Sequence, residues 1–545
     1  MDQRRFGEAR ALLEPAVRAA PGQADARCLL GAALRMLGET GGAERELRGA
    51  LALDPARQDA ALELARLLNA LGRHDDLVRV TGPAAAVLQP RPALLAERAK
   101  AFQALDRMEE CLVERDRVVA LQPGKPVPLH NLAAALGDAG EAGRAEAAAR
   151  AALAAGGEAP ETWLVLARAL QSQNRFDDAE AAFREALRRR PDYADALRDL
   201  AQLVWMRTGD LAAATAVLPK AVTPPQRMLR ARLCEYAGDI AGAYRMLTAD
   251  PVAGDAALEI TAAHLAMSFD PDRALAHALR AEALAPDADV VVRKAIDVHL
   301  AAGLAEAALA RIEAARARHP LDQGLIAAQW TAWRMLGDPA AAALYDYEAL
   351  VGDWPLDTPA GWAVLEDYLA DLAIGLTDLH GLHAHPLDQS LRHGAQTSAN
   401  LLRSEHPAIR AFAAAIDGPI RRHMAFLGAG SDPLRARNTG DYRIKGMWSV
   451  RLRPGGFHVD HVHPQGWLSS ACYIELPPAV GGPGREGWLR FGQPGVPTPE
   501  ALEPGYFIQP QVGRLALFPS YMWHGTVPFS GDGRRLTIAF DVLPA

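Results

Sequence analysis

The chain is short of cysteine, has no long apolar run and carries no surplus of basic residues. Its four cysteines, Cys28, Cys111, Cys234 and Cys472, lie far apart and form no CxxC pair. That excludes a disulfide framework and points to a reducing compartment. No run of eighteen or more uncharged apolar residues occurs, so no membrane-spanning helix is expected. The opening "MDQRRFGEARALLEP" is charged throughout and cannot serve as the apolar core of a signal peptide. A cytoplasmic protein is the expectation. The formal net charge of -8 leaves no basic footprint for nucleic acid and argues against binding an anionic membrane. What is present reads as globular: 50% of residues are apolar and 23% charged. At 545 residues the chain exceeds one ordinary core, so two or more domains are expected.

The front half is periodic. Pro21, Pro55, Pro90, Pro123 and Pro191 mark slots that recur about every 34 residues, with Gly157 in the place between the last two. In the clearest unit, from Pro160, a first helix carries Trp163, Leu166, Ala167 and Leu170. A second carries Ala179, Phe183 and Ala186 and ends at Pro191. The unit from Ala24 repeats this with Leu30, Gly31, Leu34, Ala43, Leu47, Ala50 and Pro55. The small residues let two antiparallel helices approach closely, and each pair buries its apolar face on the next. These positions resemble the tetratricopeptide pattern. A more degenerate run is paced by Pro251, Pro286 and Pro320, so an all-α solenoid is expected over residues 1–340. Ala9, Leu13, Ala16 and Pro21 fit the second helix of a unit with little before them, which predicts a poorly ordered first turn over residues 1–20.

After about Leu350 the pattern changes. "LEDYLADLAIGL" and "HPAIRAFAAAIDGPIRRHMAFL" still read as helices. From Met447, short β-branched and aromatic runs alternate with turns such as "VGGPGREG" and "FSGDGR". Residues 341–440 are thus expected to be a linker and packed helices, and 441–545 an all-β sandwich or barrel.

Within that β region, "GGFHVDHVHPQGW" sets His458, Asp460, His461 and His463 close together. Strand alternation places His461 and His463 on one face and His458 and Asp460 on the other. His524 follows a later strand. Two nearby ligands and a distant third are how non-haem iron sites are built, with open positions left for co-substrate and oxygen. A second cluster, His380, His383, His385 and His393, lies outside the strand-rich part and reads as a surface or packing feature. Trp467 and Trp523 read as core.

The series His461, His463, Pro464, Ser469, Tyr473, Pro477, Phe518, Pro519, His524, Val527, Arg535, Ile538 and Phe540 resembles the iron(II)/2-oxoglutarate-dependent oxygenases. The resemblance implies a double-stranded β-helix (jelly-roll) fold with packed helices. It implies iron(II) on His461, His463 and His524, and 2-oxoglutarate as co-substrate, its far carboxylate held by Arg535 and Tyr473. Arg534 is the alternative anchor, of opposite strand parity. One departure stands out: the superfamily carries an aspartate or glutamate where His463 falls. An alternative pair is His458 and Asp460, and a third possibility is a bulge that brings Asp460 beside His461.

The reading that follows is an oxygenase, a hydroxylase of a peptide or protein delivered by the repeat array. The alternative is a non-catalytic interaction scaffold with a degenerate β domain.

Overall fold

The computed structural model describes residues 3–219, 223–249 and 254–545. The chain divides into two compact units, Met1–Pro191 and Asp192–Ala545.

The first unit is a succession of antiparallel helix pairs. Ala24–Met36 and Thr40–Leu53 form one pair, and Pro160–Ser172 and Phe176–Arg189 another. Leu30, Leu34, Ala43, Leu47 and Ala50 are buried, as are Leu166, Ala167, Leu170, Ala179, Phe183 and Ala186. Gly31 shows why small residues recur. A Cβ there would lie 2.6 Å from the Leu47 side chain and 3.2 Å from the Ala43 carbonyl oxygen. Gly157, which stands in a proline slot, is equally constrained, with the Ala152 carbonyl 2.6 Å from where its Cβ would be. Residues Gln3–Ala19 form one helix; the expected loose first turn falls partly on residues outside those described.

The second unit begins with further helices and ends in β-structure. Pro286 and Pro320 each follow a helix, Pro271–Leu284 and Ala305–Arg318; Pro251 lies outside the described residues. No described helix is long and apolar enough to cross a membrane. The strands are β1 (Gly352–Pro355), β2 (Leu391–Gln396), β3 (Tyr442–His458), β4 (Leu468–Glu475), β5 (Leu489–Phe491), β6 (Tyr506–Ile508), β7 (Arg514–Pro519), β8 (His524–Thr526) and β9 (Arg535–Pro544). They form a six-stranded sheet in the order β1-β7-β4-β9-β3-β2 and a three-stranded sheet in the order β6-β5-β8, and every pairing is antiparallel. Leu468, Cys472, Leu515, Leu517, Ile538 and Phe540 are buried in one core with Phe412, Ile416 and Ile420 of the helix Pro407–Leu427.

Two features differ from the expected division. Strands β1 and β2 come from the 341–440 segment, where the pattern showed only helices. The compact units divide after Pro191, because helices of the 192–340 segment bond directly to the β region. Trp205 Nε1 donates to the His385 carbonyl at 3.0 Å, and Gln323 N to the Pro464 carbonyl at 3.1 Å. Trp523 Nε1 donates to Thr331 Oγ1 at 3.0 Å.

Candidate metal centre

After β3 the chain leaves the sheet. His461 makes an isolated antiparallel bridge with His524: its N–H donates to the His524 carbonyl at 3.0 Å and the return bond is 3.1 Å. His463 lies in the following loop, where its N–H donates to the Ser520 carbonyl at 3.0 Å. The strand-parity argument therefore does not apply to this pair; bridge and loop bring the rings together instead. His461, His463 and His524 each offer one ligand atom, and these atoms lie within 4.8 Å of one another. They are the one such group of three or more His, Cys, Asp or Glu among the described residues.

Each ring has an acceptor for its Nδ1. The partners are the Val459 carbonyl at 2.9 Å for His461, the Met522 carbonyl at 2.9 Å for His524 and Asp541 Oδ1 at 2.6 Å for His463. Those contacts place the proton on Nδ1 and leave Nε2 as a lone pair. The Nε2 atoms of His461 and His463 then face each other at 3.3 Å. That separation lets one cation accept a lone pair from each ring. Burial keeps two of the rings uncharged: His461 is pushed down to about 3, and His524 well below the usual range. Trp448 stacks on His463 with an interplanar angle of 18°. The donor set suits a divalent transition metal.

The missing carboxylate reappears one step out. Asp541 ends a run on β9, Arg535, Thr537, Ala539 and Asp541, that faces one cavity. Ser469 Oγ bonds Ser520 Oγ at 2.9 Å and donates to Asp541 Oδ1 at 3.3 Å, which holds the carboxylate under His463. Sequence reading passed over Asp541, although its alternation with Arg535 was a usable signal.

His458 and Asp460 are not in the cluster. Asp460 is gripped by Arg490 through two bonds of 3.0 and 2.6 Å, and His458 Nδ1 meets Ser390 Oγ at 2.9 Å. The bulge that would place Asp460 beside His461 is not formed. The second histidine group does not converge. His380 Nε2 meets Ser449 Oγ at 3.0 Å, and His385 packs edge-on against Trp205. His383 is tied by its main chain to Met206, and His393 is exposed on β2. Trp467 is fully buried and donates to the Leu434 carbonyl, as core packing requires.

The cavity beside the histidines has a volume of about 640 Å³. Arg535 lines it and is 2% exposed. Its guanidinium lies 5.2 Å from the Tyr473 ring centroid. Among the described residues, Arg535 Nε and Tyr473 Oη are buried with no well-formed hydrogen bond to any third group, the two side chains acting chiefly on each other. A buried cation with an orphaned donor is costly unless an anion completes it. Burial accordingly pushes the guanidinium pKa down and the Tyr473 phenol up to about 12. The Arg535 fork, which lines the cavity, suits a small carboxylic acid. Arg534 faces elsewhere and is bonded to Glu475, with Nη2 donating at 3.0 Å.

Residues 446–541 match the family model described as "Putative 2OG-Fe(II) oxygenase". A tetratricopeptide repeat model matches residues 1–56 and 164–226. The chain therefore carries tetratricopeptide repeats and, at its C-terminal end, a region of the 2OG-Fe(II) oxygenase type. No curated protein matches it. Among solved structures, it is similar to a tetratricopeptide repeat protein from Parabacteroides merdae, with 14% identity and a TM-score of 0.35, over 50% of this chain and 97% of that one. It is similar to YrrB, described as "a TPR protein with an unusual peptide-binding site", with 14% identity and a TM-score of 0.32, over 34% of this chain and 96% of that one. A thermophilic TPR protein of Thermus thermophilus has 23% identity and a TM-score of 0.26, over 34% of this chain and 100% of its own.

Proposed function

We propose that the chain is an iron(II)/2-oxoglutarate-dependent oxygenase that hydroxylates a peptide or protein recruited by its repeat array. The observation that carries this reading is the meeting of three imidazoles, in one cavity, with a buried guanidinium that forms no ion pair with a carboxylate among the described residues. His461, His463 and His524 would hold the metal. Arg535 would bind the far carboxylate of 2-oxoglutarate in the bidentate manner a planar fork favours, with Tyr473 donating its hydroxyl. Bound together, iron(II) and 2-oxoglutarate supply oxidation by dioxygen, in which the co-substrate becomes succinate and carbon dioxide and a substrate C–H bond gains a hydroxyl.

The chain's own residues supply placement. The Nδ1 acceptors aim each ring, and Asp541 orients His463 through its 2.6 Å contact. The sheets fit a double-stranded β-helix. We assign the array to residues 1–340 and the catalytic domain to 341–545, since β1 and β2 are part of its sheet. Four buried free cysteines support a reducing, cytoplasmic setting.

The test is anaerobic titration of the full chain with iron(II) and 2-oxoglutarate. A weak visible charge-transfer band that requires both supports the oxygenase. No band, together with no 2-oxoglutarate binding by calorimetry, supports the scaffold reading instead.

A further inference from the structure

A small dicarboxylic acid fills only part of a cavity of about 640 Å³, which is within the size range of larger ligand sites. Besides Arg535, the lining holds two cations, Arg392 and Lys445, and two acids, Asp388 and Asp541. Both acids are engaged. Asp541 meets His463 at 2.6 Å, and Asp388 Oδ2 accepts from Arg232 at 3.1 Å. The charge left unanswered in the cavity is positive.

Arg392 is the cation built to use it. Its guanidinium lies 4.7 Å from the ring centroid of Tyr236, the last residue of the repeat-type helix Pro224–Tyr236. Its Nη1 donates to the Gln389 and Leu391 carbonyls at 2.8 and 2.9 Å, which fixes the plane of the fork. Glu235, next to Tyr236, is taken by His264 at 3.1 Å. Glu235 and Tyr236 act on Arg392 electrostatically, but among the described residues no carboxylate comes within ion-pair distance of it, and burial pushes its guanidinium pKa down. Ser390, two residues earlier, puts its Oγ 3.2 Å from His461 Nε2. The segment that carries Arg392 therefore runs beside the candidate metal ligands.

We infer that Arg392 receives a carboxylate of the substrate, and that the substrate is an acidic peptide whose Asp or Glu side chain is held between the Arg392 fork and the histidine cluster. A stacked, half-buried guanidinium recognises a planar carboxylate far better than an amide of the same shape. This inference rests on the oxygenase reading above.

The test uses the full chain with iron(II) and 2-oxoglutarate under anaerobic conditions. The probes are blocked pentapeptide pools with a fixed central Asp or Glu, and matched pools with Asn or Gln. Perturbation of the visible band reports binding. The acidic pools should bind at least about tenfold more tightly than the amide pools, and this ratio should collapse to about one in Arg392→Met. Should Arg392→Met fail to fold, Arg392→Gln and the salt dependence of the wild-type ratio replace it; a ratio unmoved by salt overturns the inference. A wild-type band with equal binding of the two pools, or a ratio unchanged by the substitution, also overturns it and leaves the oxygenase reading intact. Tighter binding of free N-acetylglutamate than of the acidic pools overturns the peptide as the source of the carboxylate. Absence of the wild-type band removes the oxygenase reading, and this inference with it.

Discussion

His461 and His524 exchange both main-chain hydrogen bonds, and their ring centroids stand 4.2 Å apart. The backbone thus sets the spacing of the two imidazoles before any ion is present. Replacing either ring by Ala should leave the bridge and the fold in place and remove a ligand. Cobalt(II), used as an anaerobic stand-in for iron(II), should then bind at least about 100-fold more weakly by absorbance titration.

Asp541 acts on the metal through His463. Asp541→Asn keeps an acceptor opposite Nδ1 but loses the charge, and should weaken cobalt(II) binding about 10-fold; Asp541→Ala should weaken it toward about 100-fold. Unchanged affinity in Asp541→Ala would show that the 2.6 Å contact has no influence on the ligand.

Arg535 is a buried cation with no carboxylate in ion-pair distance among the described residues, so its removal should separate binding from stability. Arg535→Met should lose most 2-oxoglutarate affinity by calorimetry, while the melting temperature of the co-substrate-free protein holds or rises. A large fall in melting temperature would mean that the guanidinium is structural.

His423 gives a pH dependence unrelated to the metal centre. It is fully buried, accepts from Trp354 Nε1 at 3.2 Å through Nδ1, and is pushed down to about 3 by burial. The folded chain refuses a proton that the unfolded chain binds below about pH 6.5. Stability from this ring is therefore fully present above that pH and is lost as the pH falls toward 3, by at most about 1.4 kcal/mol per unit. His380, at about 3, and His385, at about 4, act in the same direction. Melting of the metal-free protein from pH 7 to 5 should show this fall, and His423→Gln should make it shallower by the share of one ring, the rest coming from His380, His385 and the buried histidines of the cavity.

Gly31 tests the repeat packing. Gly31→Ala should gain helix propensity but drive a methyl into Leu47, which is fully buried and has no room to retreat. The net loss should be about 1–2 kcal/mol, read as a lower urea midpoint.

The repeats were legible because each unit writes its packing locally. Leu34 against Ala43 and Leu47, or Leu170 against Phe183, lie within one helix pair of each other along the chain. Periodicity alone recovers such contacts. Strands β1 and β2 were missed because Gly352–Pro355 and Leu391–Gln396 are short and show no alternation; they become strands only by pairing with β7 and β3. In the site, the histidines were found for their chemistry, whereas their meeting rests on one isolated bridge at His461 and on the loop that carries His463, which alternation along a strand does not describe.

By itself the sequence determined the helical array, the β-rich end and the side chains able to bind metal, because side-chain type and short-range spacing are written in it directly. Only the tertiary structure decided which of those groups meet. It turned Asp460 to Arg490 and set Asp541 under His463. It also left Arg535 without a carboxylate partner among the described residues and brought Tyr236 of the helix Pro224–Tyr236 onto Arg392. Those relations join residues far apart along the chain, and they follow from strand pairing and burial acting across the whole second unit.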